Sequence, residues 1–149
     1  MEKENSFMQQ ALTEARAAQQ AGEVPVGAVL VAGGQVLARA NNRTLRDADP
    51  TAHAEMLVLR QAAKLQGAAR LEEADLYVTL EPCAMCAAAI SFARVRRLYF
   101  GAYDAKGGAV DHGPKFFRQP TCHHAPEAYG GLLEQECGTL LQDFFKERR

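Results

Sequence analysis

Two cysteines three residues apart constrain the fold of this chain more than any other feature of its sequence. They lie in the stretch Pro82-Cys83-Ala84-Met85-Cys86, directly after Leu76–Leu80, a short apolar run that predicts a buried strand. Glu81-Pro82 ends that strand and starts a helix, because proline is tolerated in the first turn of a helix. Such a helix directs both sulfurs to one side and favours their thiolate form. The pair is therefore a redox couple, part of a metal site, or two core cysteines.

A second short motif upstream, His53-Ala54-Glu55, bears on this choice. It lies in the first turn of another predicted helix, so the two helix N-termini can meet at one end of a sheet. His53, Cys83 and Cys86 would then supply three protein ligands, which together with a water are typical of catalytic rather than structural zinc. Glu55 would supply the carboxylate that a proton-transfer reaction at such a site needs.

The spacing of His53 and Glu55 sets a geometric condition on this interpretation. On a regular helix, residues i and i+2 point about 200° apart, because each residue turns the helix by about 100°. The two side chains therefore reach one site only if that site lies near the helix axis, beyond the helix end.

The order of the predicted elements indicates an α/β fold with a single domain, residues 1–149. In chain order we predict a helix at Ser6–Ala21, a β-hairpin formed by Val24–Val31 and Gln35–Ala40 around Gly33-Gly34, a helix from Asp49-Pro50 to near Gly67, a strand at Leu76–Leu80, the helix that carries the cysteines, a strand at Val95–Tyr103, a long loop at Asp104–Gly131 and a closing helix at Leu132–Arg149. This order predicts one mixed sheet covered by helices on both faces.

Composition and charge exclude several classes of protein. Hydrophobic residues make up 48% of the chain and charged residues 23%, a balance that argues against disorder. No apolar run approaches the roughly 18 residues of a membrane span, and the acidic stretch Met1–Asn5 is not a signal-peptide core. We therefore expect a cytoplasmic protein without membrane contact, in which a close cysteine pair binds metal or reacts. A net charge of −1 argues against a general nucleic-acid coat protein.

Together the two motifs match the pattern H-x-E…P-C-x-x-C of the zinc-dependent nucleobase deaminases. More closely, the chain resembles the bacterial tRNA-specific adenosine deaminases of the cytidine/deoxycytidylate deaminase superfamily. The resemblance covers nearly the whole chain through the segments EVPVGAVLV (Glu23–Val31), NNR (Asn41–Arg43), DPTAHAE (Asp49–Glu55), LYVTLEPCAMC (Leu76–Cys86), FGAYDAKGG (Phe100–Gly108) and DFFKERR (Asp143–Arg149).

This resemblance implies a cytidine-deaminase-like three-layer α/β/α sandwich with a central mixed five-stranded sheet. It implies a homodimer with one Zn²⁺ per subunit, held by His53, Cys83 and Cys86. The implied reaction is the hydrolytic deamination of the wobble adenosine in a tRNA anticodon stem-loop to inosine, with release of ammonia. Glu55 is the implied proton shuttle of that reaction.

The resemblance also implies which residues bind the substrate. Asn42 would hydrogen-bond the flipped base, Val26 and Ala54 would line the base pocket, and Asp104 and Lys106 would touch the anticodon loop. A single-stranded loop suits such an enzyme because its bases flip out easily.

Two basic clusters have two interpretations each. Each cluster either contacts RNA phosphates or is ordinary surface charge. One cluster is Arg148 and Arg149 at the chain end, and the other is Arg94–Arg97.

The segment His112–Gly131 departs from the family pattern. Its Cys122, His123, His124 and His112 could be mistaken for a second metal site, but adjacent histidines rarely ligate one tetrahedral ion, and the loop offers no second spaced pair. We expect no second zinc there. Cys137, on the closing helix, is expected in the core.

Three alternative functions remain open from the sequence. The first is a deaminase of a free base or nucleoside, of guanine or cytosine type, which would share the zinc centre and Glu55. The second is a non-catalytic RNA-binding module stabilised by zinc. The third is a dithiol oxidoreductase, which would need Cys83 and Cys86 alone.

Overall fold

The computed structural model of the chain describes residues 2–148. Their elements are α1 (Glu2–Gln20), β1 (Gly27–Ala32), β2 (Gln35–Asn41), α2 (Ala54–Gln66), β3 (Ala74–Leu80), α3 (Ala84–Phe92), β4 (Arg97–Ala102), a 3₁₀ turn (Phe116–Arg118), β5 (Glu127–Tyr129) and α4 (Glu134–Glu147). Within this range no helix combines the length and apolar character that crossing a membrane requires.

The strands form one mixed sheet in the order β2-β1-β3-β4-β5. β1 pairs antiparallel with both β2 and β3, whereas β3, β4 and β5 are parallel. Helices α1 and α4 contact each other on one face of the sheet, and α2 and α3 contact each other on the other face. The predicted three-layer α/β/α sandwich with five mixed strands is therefore confirmed.

The predicted hairpin is confirmed at the paired glycines. Gly33 and Gly34 have φ angles of +58° and +76°, the positive values that a two-residue type I′ hairpin turn requires at both positions. The first strand begins at Gly27 and not at Val24, because the backbone N–H of Val26 bonds to the carbonyl of Val24, 2.8 Å away, in a tight turn before the sheet.

The prediction that Asp49-Pro50 starts the second helix is wrong. The Asp49 carboxylate instead accepts bonds from the backbone N–H and the hydroxyl of Thr51, at 2.8 and 2.7 Å, and so closes a separate turn. The helix begins at Ala54, after the N-cap residue His53. Its end is as predicted, because Gly67 adopts the left-handed conformation, φ +65°, that terminates many helices.

The long loop predicted for residues 104–131 contains two elements that the sequence pattern missed. They are the 3₁₀ turn and β5, whose three residues are all exposed and so show no alternation of apolar and polar side chains. The fifth strand, implied only by the resemblance, is therefore present inside this loop. Cys137 on α4 is 1% exposed, which confirms its place in the core.

The strand directions determine where a site can form. Because β2 and β3 are both antiparallel to β1, they run in the same direction as each other and as β4. The segments that follow β2, β3 and β4 therefore leave the sheet at one edge. These segments carry Asn42, His53, Cys83 and Asp104 to a common region.

Candidate metal and catalytic site

Three potential metal ligands converge at this edge of the sheet. Nδ1 of His53 lies 3.7 Å from Sγ of Cys83 and 3.5 Å from Sγ of Cys86, and all three ligand atoms lie within 4.8 Å of one another. For a tetrahedral zinc ion with Zn–N and Zn–S bonds of ordinary length, the nitrogen and sulfur atoms would be about 3.6 Å apart. The observed spacing therefore fits a single Zn²⁺ with three protein ligands.

The local backbone satisfies the geometric condition on His53 and Glu55. His53 is not helical: with φ −76° and ψ 151° it is the extended N-cap residue of α2. Glu55 lies in the first turn and is 4% exposed. The 200° separation of a regular helix does not apply across an N-cap, so both side chains face the region beyond the helix end. Cys83 is the corresponding extended N-cap residue of α3.

A cavity of about 260 Å³ opens beside this cluster. It is lined by eleven residues, which are Val24, Val26, Asn42, Thr44, His53, Glu55, Leu80, Glu81, Cys83, Asp104 and Gly107. Drug-sized pockets start at roughly 300 Å³, so this cavity is suited to one small ring system and not to a longer ligand.

The five residues predicted to bind the substrate differ in their relation to this cavity. Asn42, 7% exposed, and Val26, 8% exposed, line it together with Asp104. Among residues 2–148, Ala54 and Lys106 do not line it. Ala54 is the first residue of α2 and is completely buried, whereas Lys106 is exposed in the turn after Asp104.

The described residues of the basic clusters do not line the cavity. Arg96 and Arg97 stand at the start of β4, at the opposite edge of the sheet from the cavity, and Arg96 donates to both oxygens of Asp75 at 3.0 and 2.8 Å. The guanidinium carbon of Arg148 lies 3.7 Å from the ring centroid of Phe144, a cation–π contact. Arg149 lies outside the described residues. Arg96 therefore forms an ion pair with Asp75 at the surface.

Burial and mutual contacts shift the pKa values of the clustered groups. Burial raises the pKa of Glu55 to about 7. The negative charge of Cys83 also raises this pKa, whereas the hydrogen bond from the backbone N–H of Glu55 itself lowers it. Hydrogen bonds from Cys86 and then His53 lower the pKa of Cys83 to about 4, although burial opposes them. The same contact with Cys83 raises the pKa of His53. The cluster therefore holds a thiolate for a cation and a carboxyl that exchanges protons near neutral pH.

Glu23 is a buried carboxylate whose structural role the sequence pattern did not indicate. Its oxygens accept bonds from the backbone N–H groups of Leu45 and Arg46, at 3.1 and 2.8 Å, and from the Arg46 guanidinium at 3.1 Å. Burial raises the pKa of Glu23, but these hydrogen bonds outweigh it and hold the pKa below the usual value. Glu23 thus fixes the loop that follows Asn42.

Glu81 is a second buried carboxylate whose role the sequence pattern did not indicate, since the pattern predicted only that a strand ends there. It accepts bonds from backbone N–H groups of the segment that follows β4, among them Asp104 at 3.0 Å. The available signal was an acidic residue between an apolar strand and a proline, in the sequence Leu80-Glu81-Pro82. A charged side chain at the end of a buried strand needs hydrogen-bond partners, which here are backbone groups.

The histidines of the 112–131 segment have separate contacts. Nδ1 of His112 lies 2.8 Å from Oε1 of Glu81, and Nε2 of His124 lies 2.8 Å from the carbonyl oxygen of Val95. Sγ of Cys122 lies 3.5 Å from Oγ of Ser91. Over residues 2–148, only His53, Cys83 and Cys86 bring three possible ligand atoms together.

Comparison with known proteins agrees with this site. The profile of the cytidine and deoxycytidylate deaminase zinc-binding region matches residues 1–102. The tRNA-specific adenosine deaminase of Agrobacterium fabrum is 60% identical over 149 residues, 100% of this chain and 98% of that protein. The protein of the same name in Bacillus subtilis is 46% identical over 149 residues, 100% of this chain and 92% of that protein.

A solved structure from a study of A-to-I editing by tRNA:A34 deaminases at the wobble position of transfer RNA has the same fold. It matches this chain with a TM-score of 0.90 and 62% sequence identity, over 91% of this chain and 99% of that one.

Proposed function

Because this chain belongs to the tRNA-specific adenosine deaminases, within the zinc-binding cytidine and deoxycytidylate deaminase family, we propose that the cavity beside His53, Cys83 and Cys86 is its catalytic centre. The chain is a zinc-dependent deaminase that converts the wobble adenosine of a tRNA anticodon to inosine by hydrolysis. The observation that carries the proposal is the convergence of one imidazole and two sulfurs within 4.8 Å beside the buried Glu55.

The donor set favours a single zinc ion over the alternative of a dithiol redox pair. A redox pair needs two sulfurs only, whereas here Nδ1 of His53 lies within 3.7 Å of both. One imidazole and two thiolates with tetrahedral spacing are typical zinc ligands. When bound, zinc supplies Lewis-acid activation of a water molecule at neutral pH.

Glu55 is placed to carry the protons of the reaction. It is buried and lines the cavity together with His53 and Cys83, where a carboxylate can accept and donate a proton. In the proposed reaction Glu55 takes a proton from the attacking water and delivers it to N1 of adenine, while the water oxygen bonds to C6. Glu55 then takes the remaining proton of that oxygen, now a hydroxyl on C6, and passes it to the amino group, whose C–N bond breaks to release ammonia and leave the C6 carbonyl of inosine.

Asn42 and Val26 are placed to hold the base. The amide of Asn42 offers both donors and an acceptor to a purine edge, and Val26 offers an apolar surface. The backbone carbonyl of Asn42 accepts a bond from the Arg46 guanidinium at 2.6 Å, which fixes this loop. Because the cavity has room for a single base, the adenosine must leave its stack, as bases of an anticodon loop do easily.

We further propose that the protein acts as a cytoplasmic homodimer, with Asp104 and Lys106 near the anticodon loop. Asp104 supports this placement because it stands at the cavity, and Lys106 follows it in an exposed turn. The dimer is supported by α3, where Phe92 is 75% exposed at the end of a helix rich in alanine. Light scattering at micromolar concentration should give the mass of two chains.

The proposed function is tested with purified protein and synthetic substrates. An anticodon stem-loop with adenosine at the wobble position should yield inosine by mass spectrometry, together with one zinc per chain by elemental analysis. The same stem-loop with guanosine at that position is the control and should remain unchanged. Turnover of free adenosine, guanine or cytidine without turnover of the stem-loop would instead establish the free-base or nucleoside alternative.

A further inference from the structure

A buried carboxylate organises the loop on one side of the catalytic cavity. The Glu81 side chain is 0% exposed. Its Oε1 accepts a bond from the backbone N–H of Asp104 at 3.0 Å and lies 2.8 Å from Nδ1 of His112. Its Oε2 accepts bonds from the backbone N–H groups of Val110 at 3.1 Å, Asp111 at 2.9 Å and His112 at 3.2 Å. We call the segment from 104 to 112 the anchored loop.

The anchored loop is closed tightly around this carboxylate. A Cβ atom at Gly108 would lie 2.5 Å from Cδ of Glu81 and 2.5 Å from the carbonyl oxygen of Asp104. Ala109 also donates its backbone N–H to the carbonyl of Pro82, 2.9 Å away. The loop therefore approaches Glu81 more closely than any residue with a side chain at position 108 would allow.

The same loop presents residues to the substrate side. Asp104 and Gly107 line the cavity. Oδ1 of Asp104 accepts bonds from the backbone N–H groups of Lys106 at 3.1 Å and Gly107 at 2.9 Å. The position of the Lys106 turn thus depends on Asp104, and the position of Asp104 depends on Glu81.

We infer that Glu81 is a positioning residue for RNA binding, which holds the anchored loop in the orientation that receives the anticodon; this inference rests on the proposed function. Glu81 does not act on the base itself. A carboxylate has about four lone-pair sites, and four backbone N–H groups and one imidazole already face them. Glu81 therefore affects the reaction by fixing the position of Asp104 and of the turn that follows it.

Glu81→Gln tests this role with almost no change of shape. If the amide oxygen takes the place of Oε2, where three N–H groups converge, the amide NH₂ faces the N–H of Asp104 and that bond is lost. We expect the KM for the wobble-adenosine stem-loop to rise about tenfold, equivalent to about 1.4 kcal/mol, with kcat within about twofold and one zinc per chain. Removing a negative charge by itself favours RNA binding, so the expected rise in KM opposes the simple effect of charge.

Glu72→Gln is the matched control, because it removes the same charge at an exposed position. Its KM should be equal to or slightly below that of the unmodified protein. If Glu81 only supports the fold, kcat, zinc content and thermal midpoint of Glu81→Gln will fall together without a selective rise in KM, and the inference is then overturned.

Hydrogen exchange gives a readout that does not depend on activity. In the unmodified protein the amides of Asp104, Val110, Asp111 and His112 should be protected by Glu81, and Glu81→Gln should speed exchange in the 104–112 peptide at least tenfold while the α1 peptide is unchanged. Unchanged exchange in the 104–112 peptide would overturn the inference. This result stays informative even if the unmodified protein makes no inosine, an outcome that would refute the proposed function alone.

His112→Ala provides a second variant in case Glu81→Gln does not fold. It removes one donor to Glu81 from a side chain that is 35% exposed and leaves the four backbone bonds in place. We expect a KM increase of about threefold with kcat within about twofold. A KM equal to that of the unmodified protein would count against the anchoring of this loop by Glu81.

Discussion

Nδ1 of His53, the N-cap residue of α2, lies 3.5 Å from Sγ of Cys86 in α3, although the two helices belong to different crossovers of the chain. Their helices follow β2 and β3, which run in the same direction because both pair antiparallel with β1. Each helix begins with an extended N-cap residue that faces the same region. A substitution at either helix start therefore acts on one shared site.

Glu55→Gln should abolish deamination while zinc stays bound. The amide cannot carry a proton, and loss of general acid–base catalysis costs about 10²–10⁴-fold in rate. Glu55 is not among the three clustered ligands, so elemental analysis should still give one zinc per chain. Inosine formation in the stem-loop measures the effect, with Glu72→Gln as the control. Turnover within tenfold of the unmodified protein would refute the proton-shuttle role.

His53→Ala and Cys86→Ala should each lose the metal. Removing one of three protein ligands leaves too few donors for a stable tetrahedral site, and metal binding contributes to folding stability. Elemental analysis should show well below one zinc per chain, and the thermal midpoint should fall by at least about 5 °C. Cys122→Ser is the matched control: Cys122 contacts Ser91 outside the cluster, so its zinc content should not change. Full zinc content in His53→Ala would contradict the assigned ligand set.

Gly108→Ala should displace the anchored loop. The new methyl group would lie 2.5 Å from Cδ of Glu81, which requires a backbone shift that costs about 1–3 kcal/mol of unfolding free energy. Gly138→Ala is the opposite case, because no atom beyond the neighbouring backbone of α4 lies within 4 Å of the added Cβ. It should stabilise the protein by about 0.5–1 kcal/mol. Urea unfolding measures both. Equal effects of the two substitutions would contradict the close approach at Gly108.

Glu23→Gln should lower the free energy of unfolding at pH 7, and it should lower it by less at acidic pH. The folded-state pKa of Glu23 is below the ordinary value of 4.5, so its ionised form stabilises the fold at neutral pH, and this contribution is lost as the pH falls below about 4.5. Urea unfolding of both proteins at pH 7 and at pH 4 measures the difference between them, which should be smaller at pH 4. A difference independent of pH would show that the charge of Glu23 is not what holds the loop.

Several local features could be predicted from the sequence because neighbouring residues determine them. The glycine pair of the hairpin and Gly67 at the end of α2 adopt positive φ angles that other residues avoid. The place of Cys83 and Cys86 at the start of a helix could be predicted from their spacing and from Pro82. In contrast, β5 has three exposed residues and no apolar period, so its strand conformation depends on pairing with β4.

The chain's own sequence determined the chemical identity of the donors: one imidazole, two thiols, one carboxyl group and the helix starts that carry them. Only the tertiary structure decided that they meet, because the direction of β2 relative to β3 depends on both strands pairing with β1. The same holds for Glu23 and Glu81, whose partners lie more than 20 residues further along the chain. Backbone conformation follows from neighbours in sequence, whereas the partners of a buried charge follow from the packing of the whole domain.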